Sequence, residues 1–230
     1  ILSDAAAIDG TIKGLGGINT LDYAEYTGGS DLLLPGLVSW YEGEGNADDS
    51  AGGNHGTIHG DVAFVPGEVG QAFSFDGVPN FDGVADYVDL GNAPALDIPG
   101  SLTVEAWVNY ETLTHYKYLV ADFDADGNVS QGSLGILDNR FFWFQRMTDG
   151  SFIKPIGATA LVAGQWYHVA VVRDDTAKTV TMYVNGVEDG SMTYAGTVVG
   201  LQRNKLLGTS AEEFPADSFH GQIDEPSLYN

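Results

Sequence analysis

Leu102-Thr103-Val104-Glu105-Ala106-Trp107-Val108-Asn109-Tyr110 is the stretch whose reading decides the fold. Apolar Leu102, Val104, Ala106 and Val108 recur at every second position, with Thr103, Glu105 and Asn109 opposite them. Successive side chains of a strand point to opposite faces, so this period predicts a half-buried β-strand. Residues 166–173 (WYHVAVVR) are apolar almost without a break, as in a strand covered on both faces. Val180, Met182 and Val184 alternate with Thr179, Thr181 and Tyr183 and lead into Asn185-Gly186. Asn-Gly supplies the positive φ angles of a type I′ turn, so a tight hairpin to Val187 is predicted. Further strands are expected at 37–41, 72–75, 87–90, 140–144, 205–208 and 219–224. Short alternating segments punctuated by Asp-Gly and Asn-Gly pairs, with 31 glycines and no sustained helical period, make the chain all-β, a sandwich or a barrel.

Composition narrows what such a domain meets. Nine basic against 32 acidic residues leave a net charge of −23, a field that repels phosphate backbones and anionic membranes. Nucleic acid is excluded as a natural partner; cations, neutral sugars and basic surfaces are not. There is no cysteine, hence no disulfide and no thiolate zinc site. No apolar run reaches the ~18 residues of a membrane span, so membrane insertion is not expected. Residues 1–35 differ from the rest: Gly, Asp, Asn and Thr alternate with small apolar residues (IDGTIKGLGGINTLDYAEYTGG, 8–29) before the Pro35-Gly36 turn. They read as a linker or as the end of an upstream Gly/Asp-rich repeat, with the main domain at 36–230. A start at Ile1 fits a mature piece or an excised domain of a multidomain chain.

Seven segments in order carry a family resemblance. They are LVSWYEGEGN (37–46), DSAGGNHG (49–56), GQAFSFDG (70–77) before Tyr87-Val88, LTVEAWV (102–108), WYHVA (166–170), YVNG (183–186) and GQIDEPSLYN (221–230). Together they resemble the laminin-G-like, concanavalin A-like lectin/glucanase superfamily common on bacterial surfaces, over roughly 36–230. The resemblance implies a two-sheet antiparallel jelly-roll sandwich whose first and last strands are close together. It also implies a carbohydrate-binding or adhesive role outside the cell, often with structural Ca²⁺. Pro226 departs from the pattern. Proline cannot donate to a ladder, so the last strand should be an edge strand or should kink there.

Three constellations could carry chemistry. Asp49, Gly52 and Asn54 form a loop rich in hard oxygens, and in the family's fold Asp224 would reach it; that set suits Ca²⁺, while an Asx-turn is the plain alternative. Asp122, Asp124 and Asp126 precede Gly127 with the spacing that starts an EF-hand loop, but Ser133 stands where the bidentate Glu belongs. An acidic turn competes with a weaker second Ca²⁺ site there. Tyr116, Tyr118 and residues 141–144 (FFWF) lie near Arg140, Arg146 and His115 in sequence. Sugars are recognised by rings stacked on aromatic planes, so Tyr116, Tyr118 and Trp143, with Arg140 and Arg146 for acidic substituents, form the candidate ligand platform. A strand buried on both sides is the alternative. Trp40, Trp107 and Trp166 read as core.

Catalysis has little support. A retaining glycosidase of the resembled superfamily would show Glu-x-Asp-x-x-Glu on one strand, and the pattern is absent. A polysaccharide lyase built on Tyr116, His115, Arg140 and Arg146 is the enzymatic rival. The expectation is a non-catalytic, lectin-like module binding a polysaccharide or glycoconjugate; an adhesive or spacer domain with a protein ligand is the alternative.

Overall fold

The computed structural model describes residues 35–77, 86–111, 116–122, 131–200, 204–210 and 218–230. Residues 1–34, with most of the expected linker or upstream repeat, lie outside the described residues. Fifteen strands are found among those described. They begin with β1 (Leu37–Trp40), β2 (Thr57–His59), β3 (Ala63–Pro66), β4 (Gln71–Asp76) and β5 (Tyr87–Gly91). After a single 3₁₀ turn at Pro94–Leu96 come β6 (Leu102–Tyr110), β7 (Lys117–Ala121), β8 (Ser133–Leu137), β9 (Arg140–Arg146) and β10 (Phe152–Ile153). The last are β11 (Trp166–Asp174), β12 (Thr179–Val184), β13 (Val187–Thr193), β14 (Lys205–Leu207) and β15 (His220–Tyr229).

Two antiparallel sheets result. One runs β13-β12-β11-β6-β15-β4-β3, with β1 also paired to β15; the other runs β10-β9-β8-β7-β14-β5-β2. This is the predicted two-sheet jelly-roll sandwich, and its first and last strands pair as expected. In β6 every odd member of the alternation is buried and every even one half-exposed. Val104, Ala106, Val108, Val169, Val171 and Ile223 from one sheet meet Val88, Leu90, Leu134, Ile136, Phe141 and Trp143 from the other in one core. Each such side chain contributes about 1.5–3 kcal/mol by leaving water. Asn185 and Gly186 take φ 50° and 75°, as the hairpin between β12 and β13 requires.

The structure corrects several expectations. Strand β11 is not covered on both faces: Tyr167, Val169 and Val171 enter the core, while Trp166, His168 and Val172 are half-exposed. Trp40 and Trp107 are likewise half-buried and outside the core, not within it. Strand β15 is central, flanked by β6 and β4, so Pro226 does not make it an edge. It kinks instead: the β6 register slips between Asp224 and Ser227, and Glu225 takes φ 55°. The proline's missing donor falls in this bulge, where its carbonyl accepts from the Tyr41 amide at 3.0 Å.

Two of the three buried cations among the described residues, Arg173 and Lys205, are almost wholly enclosed. Arg173, 1% exposed, donates to the carbonyls of Gly100 and Gln131, each at 2.8 Å, and to that of Ile98. Lys205 pairs with Asp122 at 3.3 Å, both side chains almost wholly buried. Removing one member of such a pair strands the other's charge, which makes both segments dependent on it.

Candidate ligand-binding surface

Strand β9 reads RFFWFQR, and its pairing with β8 decides which aromatic goes where. Phe141 and Trp143 join the core; Phe142 forms a separate cluster with Tyr118 and Ala121, against which Leu137 and Phe144 pack. Alternation therefore turns Arg140, Phe142, Phe144 and Arg146 to the outer face of the seven-stranded sheet. Tyr116, 37% exposed, stands just before β7. Its ring lies parallel to that of Tyr118, with centroids 6.3 Å apart and planes 12° apart. Phe142 meets both rings edge-on at 5.5 and 5.4 Å. The Lys154 ammonium stands 4.3 Å from the centre of Tyr116 and 5.3 Å from that of Phe142, and donates to the Tyr116 hydroxyl. Further along, Phe152 stacks on Phe144 at 5.1 Å and is 46% exposed. Gly135 makes this packing possible: a Cβ there would stand 2.4 Å from the Lys117 carbonyl oxygen and 2.8 Å from the Phe142 ring.

The predicted platform is thus assembled in part. Tyr116 and Tyr118 are together, although Tyr118 is nearly buried. Trp143 is not part of the surface: it is 1% exposed, and its indole donates to Gln145 Oε1 at 2.8 Å inside the sandwich. Arg140 and Arg146 stand at opposite ends of β9, about 20 Å apart at the usual strand rise. The Arg140 guanidinium already donates to the carbonyls of Gly157 and Ala158, at 3.2 and 2.8 Å. That separation removes the clustered cations a lyase would use; His115 lies outside the described residues.

The carboxylates divide differently from the expectation. Asp49, Gly52 and Asn54 do share a loop, but amides already fill the Asp49 carboxylate. Oδ1 accepts from Trp40, Ala51 and Gly52, and Oδ2 from the backbone and side chain of Asn54, all within 2.9–3.2 Å. Burial opposes ionisation of Asp49, yet those amides outweigh it and hold the carboxyl below its usual range. These are the hydrogen bonds of an Asx-type turn. Asp224 does not join it. One oxygen accepts from the Val69 amide at 2.8 Å, and the other is buried without a partner. Burial, with the Glu44 charge adding to it, pushes Asp224 up to about 6. Its neighbour Glu225 is pushed up to about 7 by burial and by the charges of Asp224, Glu42 and Glu44, although the Trp40 indole donates to it. Asp122 is occupied too: Lys205 and the amides of Gln131 and Gly132 take its oxygens. Asp124 and Asp126 lie outside the described residues. Among the described residues no three His, Cys, Asp or Glu side chains gather as a metal group.

The family model described as the concanavalin A-like lectin/glucanases superfamily matches residues 82–230. The chain belongs to this superfamily. Among solved structures it is similar to domain 4 of AbnA, a GH43 extracellular arabinanase from Geobacillus stearothermophilus, in complex with arabinotriose. Identity is 24%, the match covers 85% of this chain and 92% of that one, and the TM-score is 0.61. It is also similar to the binding domain of Paraclostridial Mosquitocidal Protein 1, at 16% identity, 84% and 48% coverage and TM-score 0.67. The botulinum neurotoxin serotype D ligand binding domain, in complex with N-acetylneuraminic acid, matches at 13% identity, 84% and 47% coverage and TM-score 0.60. The chain spans about half the length of these toxin domains. At such identities the likeness is one of fold. No curated protein matches the chain.

Within this concanavalin A-like frame, sequence reasoning missed Lys154 and Phe152 on the outer face and the fully buried Phe142 that supports Tyr116. Lys154 is 38 positions from Tyr116, and nothing local links them. Phe142 was legible in principle: if Trp143 points inward, parity sends Phe142 and Phe144 outward.

Proposed function

We propose that the domain is a non-catalytic, lectin-like carbohydrate-binding module of a larger secreted or cell-surface protein of bacterial origin. The observation that carries this reading is the run of rings on the outer face of the seven-stranded sheet. Tyr116 stands beneath Lys154, backed by the buried Tyr118 and Phe142, and Phe144 and Phe152 form a second group, so Tyr116, Phe144 and Phe152 are the rings a ligand reaches. Ring faces complement the C–H faces of pyranoses and furanoses, and the cations at Lys154, Arg140 and Arg146 suit a carboxylate or sulfate on the sugar. Superfamily membership and the arabinotriose and N-acetylneuraminic acid bound by similar folds support it. Among the described residues no helix is long and apolar enough to cross a membrane.

Calcium belongs to the same proposal, at a changed position. The amide-filled Asp49 loop does not fit the ion. Asp224 does, because a buried, unpartnered carboxylate oxygen beside the Glu44 charge lacks a positive counterpart. Asp224 and Glu44, with carbonyls of the 67–71 loop, would hold Ca²⁺, which would supply structural stability rather than chemistry.

A broad glycan array, run in calcium and again in chelator, tests the module. Binding to one glycan class is expected, weakened in chelator as the corner around Asp224 loosens. No binding in either condition, from a folded sample, contradicts the reading and favours an adhesive or spacer domain.

A further inference from the structure

The eight-stranded sheet has an outer face of different chemistry. Three of the four tryptophans, Trp40, Trp107 and Trp166, are half-buried members of its strands and none belongs to the core. The register of β15, β6 and β11 sets their surroundings. Trp107 lies opposite His168, and Asn109 lies between Gln222 and Trp166. Ala170 lies opposite Glu105 on one side and Tyr183 on the other, so a small residue separates an acid from a phenol. Glu105 is fixed in place: Tyr229 donates its hydroxyl to Oε1 at 2.8 Å, and His168 Nε2 stands 3.6 Å from Oε2. The His168 ring packs edge-on to Trp107 at 5.1 Å.

Among the described residues, the strands of this face turn no lysine or arginine outward. Strands β1, β3, β4, β6, β12, β13 and β15 contain none, and the one in β11, Arg173, is buried and turned inward. Burial holds His168 below its usual range, against the pull of Glu105, so the imidazole is uncharged at neutral pH. Asp224 lies opposite Trp107 on β15, so apart from the Ca²⁺ proposed there an anionic ligand would meet Glu105 and the −23 net charge without a counter-charge. A neutral sugar would find two indole rings for its C–H faces, a pre-oriented carboxylate for its hydroxyls, and the Asn109 and Gln222 amides as donors and acceptors.

We infer that the outer face of β15, β6 and β11 is a second saccharide-binding surface, selective for neutral glycan chains and independent of the cation-bearing face on the other sheet. The inference goes beyond the module proposed above and does not need its site. The test is native affinity electrophoresis of the full chain in gels carrying soluble arabinan, xylan, mannan or β-glucan, with polygalacturonate as the acidic polymer. At least one neutral polymer should retard the protein, and the double substitution Trp107→Ala and Trp166→Ala should reduce that retardation at least tenfold. Val162→Ala, an exposed substitution outside both faces, should leave it unchanged. Glu105→Gln, which keeps the shape and the stacking rings, should weaken it severalfold and serves if the tryptophan variant fails to fold. Retardation by no neutral polymer overturns the inference. So does retardation abolished by Tyr116→Ala and untouched by the face's own substitutions, an outcome that would leave the first site standing. A change of oligomeric state in the Glu105→Gln variant, without a change in retardation, would assign the face to self-association and also overturn it.

Discussion

The outer faces of the two sheets both carry aromatic rings but differ in the charged and polar groups around them. The seven-stranded sheet turns out phenyl and phenol rings with Lys154, Arg140 and Arg146; the eight-stranded sheet turns out indoles with Glu105, His168, Asn109 and Gln222. Both are the even half of an alternation whose odd half forms a single core. Residue type therefore does not say whether a tryptophan is core or surface; its parity within the strand does. Trp143 falls on the inward parity and Trp107 on the outward one, although both lie in aromatic, strongly β-forming segments.

Stability measurements can break that comparison most directly. Trp143→Ala should cost about 3–5 kcal/mol in urea unfolding, because it opens a cavity in a close-packed core. Trp107→Ala should cost distinctly less, about 1–2 kcal/mol, since its ring lies on the outer face and outside the core. Equal losses would abolish the distinction between the faces.

Gly135→Ala probes the seven-stranded face alone. Its new methyl would press on the Lys117 carbonyl and the Phe142 ring, so a loss of about 1–3 kcal/mol is expected, together with a changed near-ultraviolet signal from the Tyr116–Tyr118–Phe142 group. An unchanged spectrum would mean that Phe142 is not held as described.

The acidic corner beside the eight-stranded sheet predicts a pH effect. Asp224 and Glu225 are raised to about 6 and about 7, so the fold favours their protonated forms. The unfolded chain ionises them near the ordinary ~4, so their contribution is complete below that pH and is lost as pH rises to about 7. In chelator this should remove on the order of 1–2 kcal/mol between pH 4 and 7, after allowance for solvent screening. Millimolar calcium should restore it, and Asp224→Asn should abolish both the loss and the restoration. A melting temperature indifferent to pH, calcium and the substitution would remove the ion from the account.

Tyr116→Ala should have the smallest effect on stability, below about 1 kcal/mol for a ring more than a third exposed, yet should weaken binding to an acidic glycan at least tenfold. Parallel loss of stability and affinity would make Tyr116 a packing residue.

Much of the fold was legible because alternation and turn chemistry are local. Residues 102–110 and the Asn185-Gly186 hairpin needed nothing beyond period two and positive φ. Strands β2, β3, β7, β8 and β10 escaped notice: they are short, and β7 is buried at every position, so no alternation marks it. The site was less legible, for two reasons. Residues 141–144 are aromatic throughout, so their pattern has no polar members to set the parity. The Asp49 loop looks the same in sequence whether its carboxylate accepts amides or binds calcium, and only the five N–H donors around it separate the two.

The central claim, that the ring-lined face of the seven-stranded sheet takes the sugar, is tested most directly by NMR. The isotope-labelled domain would be titrated with the best glycan from the array. The account predicts amide shifts concentrated at Tyr116, Tyr118, Phe142, Phe144, Phe152 and Lys154. Shifts confined to the 49–54 loop or spread through the core, with those six residues unmoved, would contradict it.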